Sequence, residues 1–540
     1  MVSTLDQIMV AIAIPTIQSD FNAGALSSWI PTVYFLASTS VQPLYGRFSD
    51  IFGRRAMICF ALTVLLIGDF GSGFAKSIEE LIAFRAVAGL GGGGILTLAQ
   101  TVMSDVVSLR ERGKYQSIIG VVMLLGYGFS PPIAGVLVQR ATWRWCFWLN
   151  LPIIVVAFVL TSLYAPTKRV SEGLKSQLRS IDYLGSILSL LGSVSLTLSL
   201  IWGGTMFSWT SPVVLSLLPV GVIFLVLFLV WEWYGPAIPI VPVRIFRSAT
   251  LVGVCIVMFI SGFVGQSSTY YLAQYFQIAI GFSPTRSSLF ALPSLLGDTL
   301  ANVLSGFIVT RFGRYKALIY VALMIWAVAQ GILTLVTAST PNVVAVLAVL
   351  VFLTGWGGGQ MLQPTVIAAQ ASVDQEDMSV VTAVHNYASQ LGGTIALAAG
   401  SSAVNNGFHA ALASLNLKST AVASIIANPA LLSPGSSARS SFLEQLGITS
   451  IEADHAIASG YGRLFIINAA CSAFAAIVGL LVIQDIDLGP RGADRAGDFG
   501  SDLAGQEKSG DEQGRVVPKS RREVGSTEVV GGDVDRRATE

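Results

Sequence analysis

Charge is what this sequence has least of. Asp, Glu, Lys and Arg make up 12% of its 540 residues, against about 25% in soluble domains. That excludes an ordinary water-soluble globule. Cysteine is scarce too: Cys59, Cys146, Cys255 and Cys471 are the full set, each in or beside an apolar run, none in a CxxC pair. A disulfide framework or thiolate metal centre is therefore not expected, and small apolar packing residues are. The three histidines, His385, His409 and His455, lack metal-ligand spacing. No Asn-x-Ser/Thr acceptor occurs, no Walker-type phosphate loop and no hydrolase elbow. An enzyme, a resident metal, a cofactor and a nucleic-acid partner are all left without support.

What the chain has is apolar length. It is 53% hydrophobic, and those residues fall in blocks of roughly 18–25, enough to cross ~30 Å of hydrocarbon as helix. Lipid cannot satisfy backbone polar groups, so the blocks must be helical. The pattern is that of an all-α polytopic membrane protein with about fourteen spans by the ~20-residue criterion. The first is read at Met1–Ile17, an extra pair at Ile181–Gly203 and Pro212–Trp231, the thirteenth at Ser379–Ser401 and the last at Arg463–Ile483. The first is short, and a truncated N-terminus is expected.

Basic residues set the orientation. Arg47, Arg54 and Arg55, then Arg110, Arg112 and Lys114, then Lys168, Arg169, Lys175 and Arg179 occupy alternate loops. Arg244 and Arg247, and Arg311, Arg314 and Lys316, continue the alternation. The positive-inside rule places these loops, and both termini, in the cytoplasm.

One of the loops recurs. GRFSDIFGRR from Gly46 aligns with GFIVTRFGRY from Gly306, matching Gly46 to Gly306, Phe52 to Phe312, Gly53 to Gly313 and Arg54 to Arg314. Two such loops imply two homologous helical bundles in parallel repeat. The expected organisation is a six-helix bundle over 1–165, a linker with two extra spans over 166–249, and a second six-helix bundle over 250–484. The second bundle includes an outer loop at 404–461, and 485–540 is a polar tail, disordered by composition.

The first copy resembles the loop between spans two and three of the major facilitator superfamily. Further stretches resemble its fourteen-span drug:proton antiporters, in particular fungal exporters of drugs and toxins. These are LDQIMVAIAIP (Leu5–Pro15), FRAVAGLGGGG (Phe84–Gly94), LGYGFSPPIAG (Leu125–Gly135) and WRWCFWLNLP (Trp143–Pro152). The resemblance implies a latch in which Gly46 and Gly53 shape the loop beside Arg55, Asp50 faces helix N-termini of the other bundle, and Arg54 pairs with Asp105. It implies an antiporter motif on Gly126, Gly128, Pro131, Pro132 and Gly135. Ser130 and Ala134 depart from it where glycines are usual, and Gln390 stands where relatives often carry arginine.

Gly89–Gly94 satisfies GxGxxG formally, but inside a span such glycines serve close helix approach. Arg85, in the outer third of span four, is costly there by about 2.5–3.5 kcal/mol and calls for a partner. Asp6 and Asp298 rank first among embedded acids able to carry a proton with Arg85; Asp69, near the end of span three, ranks third as an acid open to water. His385 reads as a packing residue. Gln266, Tyr270, Gln360, Gln363, Asn386 and Gln390 are candidates for a substrate cavity. Together these imply a monomeric, proton-coupled exporter of small, largely apolar molecules in the plasma membrane, with the vacuolar membrane second. The alternatives are an importer such as a siderophore transporter, and a sensor on the same scaffold.

Overall fold

The computed structural model describes residues 2–21, 26, 29–107, 111–165, 181–203, 207–234, 239–282, 284–337, 340–413, 434, 439–446 and 448–485. The tail predicted over 485–540 lies outside them apart from Asp485.

The described chain is helical almost throughout. The first group comprises α1 (Val2–Asp20), α2 (Trp29–Phe52), α3 (Arg54–Phe74), α4 (Ile78–Val106), α5 (Arg112–Arg140), α6 (Trp145–Trp148) and α7 (Asn150–Tyr164). Then come α8 (Tyr183–Trp202) and α9 (Pro212–Tyr234). The last group is α10 (Ala249–Ile278), α11 (Pro284–Leu289), α12 (Ala291–Phe312), α13 (Lys316–Leu333), α14 (Val343–Ala371), α15 (Met378–Ala413), α16 (Arg439–Leu446) and α17 (Ser450–Leu481).

Local chemistry sets several ends. Ser77 caps α4 by accepting from the Glu80 amide, and Thr449 with Glu452 forms a capping box on α17. Gly53 ends α2 at φ 89° and Gly313 ends α12 at φ 68°. Both are left-handed positions open to glycine. The repeated loop thus uses a positive-φ glycine twice, in two different conformations: ψ is 148° at Gly53 and 16° at Gly313.

Eleven helices among the described residues are long and apolar enough to cross a membrane. Helices also stand where the other three spans were expected, at α1, α2 and α15, but these are not among the eleven. The physical reason is visible in α2, which buries Ser38, Thr39, Ser40, Gln42 and Ser49, and in α15, which buries Ser379, Thr382, His385 and Asn386. Their polar faces are hidden inside the protein, so average hydropathy understates them. Two boundaries also move. α15 runs to Ala413 rather than Ser401, and α17 starts at Ser450 rather than Arg463, so both ends of the expected outer loop are helical.

Packing makes two groups. In the first, α2 and α3 lie on α4, α1 on α5, and α7 on α3. In the last, α12 lies on α14, α10 on α15, and α13 on both α14 and α17. The pair α8–α9 pack together, and α8 touches α2 and α15. The groups meet through α5 against α12, α2 against α15, and α4 against α15. Large exposed apolar side chains such as Phe60, Phe70, Ile223, Phe307 and Phe474 form the kind of surface that lipid covers.

Candidate functional site

Below, the inner end is the one bearing the basic loops. The first cluster lies near the outer end of the first group. Arg85 of α4 is 1% exposed and Asp6 of α1 is 0% exposed. The Arg85 Nη1 donates to Asp6 Oδ1 at 2.7 Å and Oδ2 at 2.9 Å. The guanidinium carbon sits 4.4 Å from the ring centroid of Tyr34 and 5.8 Å from that of Phe147. The Tyr34 hydroxyl is 3.0 Å from Ser3 Oγ, which in turn accepts from Gln7 Nε2 at 3.3 Å. Arg85 thus has the partner its depth demands, and Asp6 is that partner.

Asp69 of α3 belongs to the same cluster. Its Oδ1 lies 3.5 Å from Arg85 Nη1, and its Oδ2 accepts from Asn150 Nδ2 at 3.4 Å. At 0% exposure it is sealed, which corrects the expectation of an acid open to water: Asn150 of α7 and Arg85 close over it. Asp298, the other acid expected to carry a proton, does not belong to this cluster. It stands on α12 in the second group, half-buried, its Oδ1 3.7 Å from where a Cβ on Gly358 would be.

Asp298 lies one turn outward of Asn302, where the groups close on each other. Asn302 Oδ1 accepts from Gln363 Nε2 at 3.1 Å, and its carbonyl lies 3.4 Å from Ser117 Oγ of α5. On the other side of the closure, Asn386 Nδ2 donates to Thr97 Oγ1 at 3.0 Å and Gln100 Oε1 at 2.8 Å, both on α4. His385 beside it bonds to Thr365 and Asn386, as a satisfied packing residue does. Of the cavity candidates, Gln266 and Tyr270 are exposed and Gln390 half-buried, one turn outward of Asn386. Gln360 bonds to Trp356 and the Leu318 carbonyl, so it is tied up within the second group, while Gln363 keeps a buried Oε1 with no hydrogen-bond partner.

The inner face is held by the repeated loop. Arg54 Nε donates to Asp105 Oδ2 at 2.7 Å and its Nη1 to Asp50. Asp50 Oδ2 accepts from Ser379 Oγ at 2.6 Å, in the first turn of α15. Arg55 is half-buried. Arg112, counted above only as a basic loop residue, is 4% exposed. It donates to Gln370 Oε1 at 2.9 Å and to the Ser104 carbonyl at 2.5 Å, joining α5 to α14. Positive-inside placement already explained an arginine there, so the sequence held no further signal.

Glycine lets the groups come this close. A Cβ on Gly46 would lie 2.9 Å from Ala383 Cβ and the Ser379 carbonyl. One on Gly306 would lie 2.3 Å from the Gly113 carbonyl. The matched glycines thus serve the two matched interfaces. On α5, Gly126, Ser130 and Ala134 are buried, with Ser130 Oγ donating to the Gly126 carbonyl. A Cβ on Gly128 or Gly135 would meet nothing within 4 Å. The side chains of Pro131 and Pro132 lie outside the described residues.

Comparison with known proteins places this architecture. Residues 1–397 match the family model of the Major Facilitator Superfamily. "Efflux pump dotC" of Dothistroma septosporum is 32% identical over 398 residues, 74% of this chain and 68% of that protein. "Multidrug resistance protein fnx1" of Schizosaccharomyces pombe is 34% identical over 386 residues, 70% of this chain and 72% of that one. The crystal structure of the human organic anion transporter MFSD10 superposes with a TM-score of 0.57 at 12% identity, over 88% of this chain and 98% of that one. At that identity the likeness concerns the fold alone.

Proposed function

The chain belongs to the major facilitator superfamily, and we propose that it is a proton-driven exporter of small, largely apolar organic molecules. The observation that supports this best is the sealed Arg85–Asp6 pair in a chain whose relatives include efflux pumps. A buried pair with no structural need for charge is weak evidence for stability. In a membrane helix it is, by default, evidence for function.

The working units are the bundles over 1–165 and 250–484, with 166–249 as linker and 485–540 as tail. They rock about the contacts α2–α15 and α5–α12. Substrate occupies the space between them near Gln266, Tyr270, Gln390 and Asp298, and Asn302, Gln363 and Asn386 form its floor while the inner face is closed. Proton entry is favourable by ~2.3 kcal/mol per 100 mV and by ~1.4 per pH unit. That sum supports roughly 500-fold accumulation of a neutral substrate per proton. The protein works as a monomer in the plasma membrane.

The test is flux in vesicles carrying the purified protein in known orientation, with a panel of radiolabelled lipophilic compounds and an imposed pH gradient. Movement of a compound against the proton flow is expected, lost in Arg85→Gln and Asp6→Asn. Movement with the proton flow, or insensitivity of every compound to the gradient, overturns it.

A further inference from the structure

Arg85 is shared by two carboxylates. We infer that the Arg85–Asp6–Asp69 cluster holds one exchangeable proton and that Asp69 carries it, which rests on the proton-driven reading above. The groups facing Asp69 are Asp6 from α1, Arg85 from α4 and Asn150 from α7, with Tyr34 of α2 beneath the guanidinium. One cation among two ionised acids leaves a net negative charge at 0–1% exposure, which burial disfavours strongly. A proton on one acid restores neutrality.

The hydrogen bonds say which acid. Both oxygens of Asp6 accept from Arg85 at 2.7 and 2.9 Å, the pattern of an ionised carboxylate. Asp69 accepts one long hydrogen bond of 3.4 Å, and its Oδ1, 3.5 Å from Arg85 Nη1, has no hydrogen-bond partner. Asn150 Oδ1 and Arg85 Nε likewise have none. Asn150 is the amide within reach of Asp69. One orientation of the Asn150 amide presents Oδ1 to the proton on Asp69; the other, with Nδ2 toward Asp69, serves the carboxylate left after that proton departs. Arg85 Nη1, 3.5 Å from Asp69 Oδ1, faces the second carboxylate once it is ionised. The proton is taken from water and returned to water, with no other bond made or broken.

Infrared difference spectroscopy of the reconstituted full chain reads this without any substrate. Wild type shows a neutral-carboxyl C=O band, sensitive to H/D exchange, that is absent in Asp69→Asn. Arg85→Gln, leaving two acids and no cation, adds a second such band. Asn150→Leu shifts the band because the protonated acid has lost its amide partner, and Asn150→Ser, which keeps a polar partner, shifts it less. A spectrum unchanged in Asp69→Asn means the cluster holds no proton. A band indifferent to both Asn150 variants places the proton on Asp6. Either result overturns the inference. A band that behaves as expected in protein showing no gradient-driven flux would instead overturn the transport reading alone.

Discussion

Asp50, at the inner end of α2, accepts a 2.6 Å hydrogen bond from Ser379 in the first turn of α15. The same carboxylate takes Arg54, and Arg54 in turn takes Asp105 of α4. One acid therefore ties a helix of one group to the N-terminal end of a helix in the other, where a negative charge is favoured.

Breaking that tie should open the inner face. A hydrogen bond to a charged group contributes about 1.5–3 kcal/mol, so Asp50→Ala should raise the inward-open population about ten- to a hundredfold. Spin labels at Ala56 and Arg314, both exposed, report it as a longer component in the pulsed-EPR distance distribution. Ser379→Ala should move the distribution the same way by less. An unchanged distribution in Asp50→Ala would show that the contact holds nothing closed.

The matched glycines make a second, steric prediction. A methyl on Gly306 meets the Gly113 backbone oxygen at 2.3 Å, whereas one on Gly46 meets its neighbours at 2.9 Å. Overpacking costs about 1–3 kcal/mol. Here it falls on the closed inner face only, since the contacts are between groups. Gly306→Ala should shift the same label distances outward more than Gly46→Ala does, and slow turnover. The reverse order would mean that α2–α15, not α5–α12, sets the closure.

What the sequence made legible was local. Gly53 and Gly313 announce the turn by their own chemistry, and Arg54 and Asp105 belong to a resemblance that supplied their pairing. What it hid depends on convergence. Asp69 is five residues from the end of α3, a position that suits a wetted acid until α1, α4 and α7 are seen to seal it. Arg112 was already accounted for by its loop. Ser379 carries no charge or periodicity to mark it. α2 and α15 spend polar residues inward, so a hydropathy average discounts one of the helix pairs that join the two groups.

Helix approach within one bundle is tested separately. A Cβ on Gly93 would lie 2.3 Å from the Ser38 carbonyl, and one on Gly91 2.4 Å from the Leu65 amide nitrogen. Gly93→Ala should therefore destabilise by about 1–3 kcal/mol, seen as a lower unfolding temperature in detergent. Gly128→Ala, with nothing within 4 Å, should leave that temperature unchanged or raise it slightly, since alanine restricts the unfolded chain more. Equal losses at the two sites would contradict the packing of α4 on α2.

Asp377 gives a pH dependence outside the spans. It lies just before α15, its side chain 5% exposed, 3.2 Å from an Arg244 that is 63% exposed. Burial raises its pKa, Arg244 opposes this, and the net direction is up from the usual carboxylate value. An exposed cation offers at most about 1 kcal/mol, too little to reverse the burial. The folded protein therefore keeps a proton on Asp377 at pH values where the unfolded chain has lost it. Stability then falls as pH rises from the ordinary aspartate value through the raised one, and is level above it. The unfolding temperature of Asp377→Asn should gain on wild type across that acidic interval and hold its lead towards neutrality. A wild-type protein that gains on the variant as pH rises would show that Arg244 prevails over burial after all.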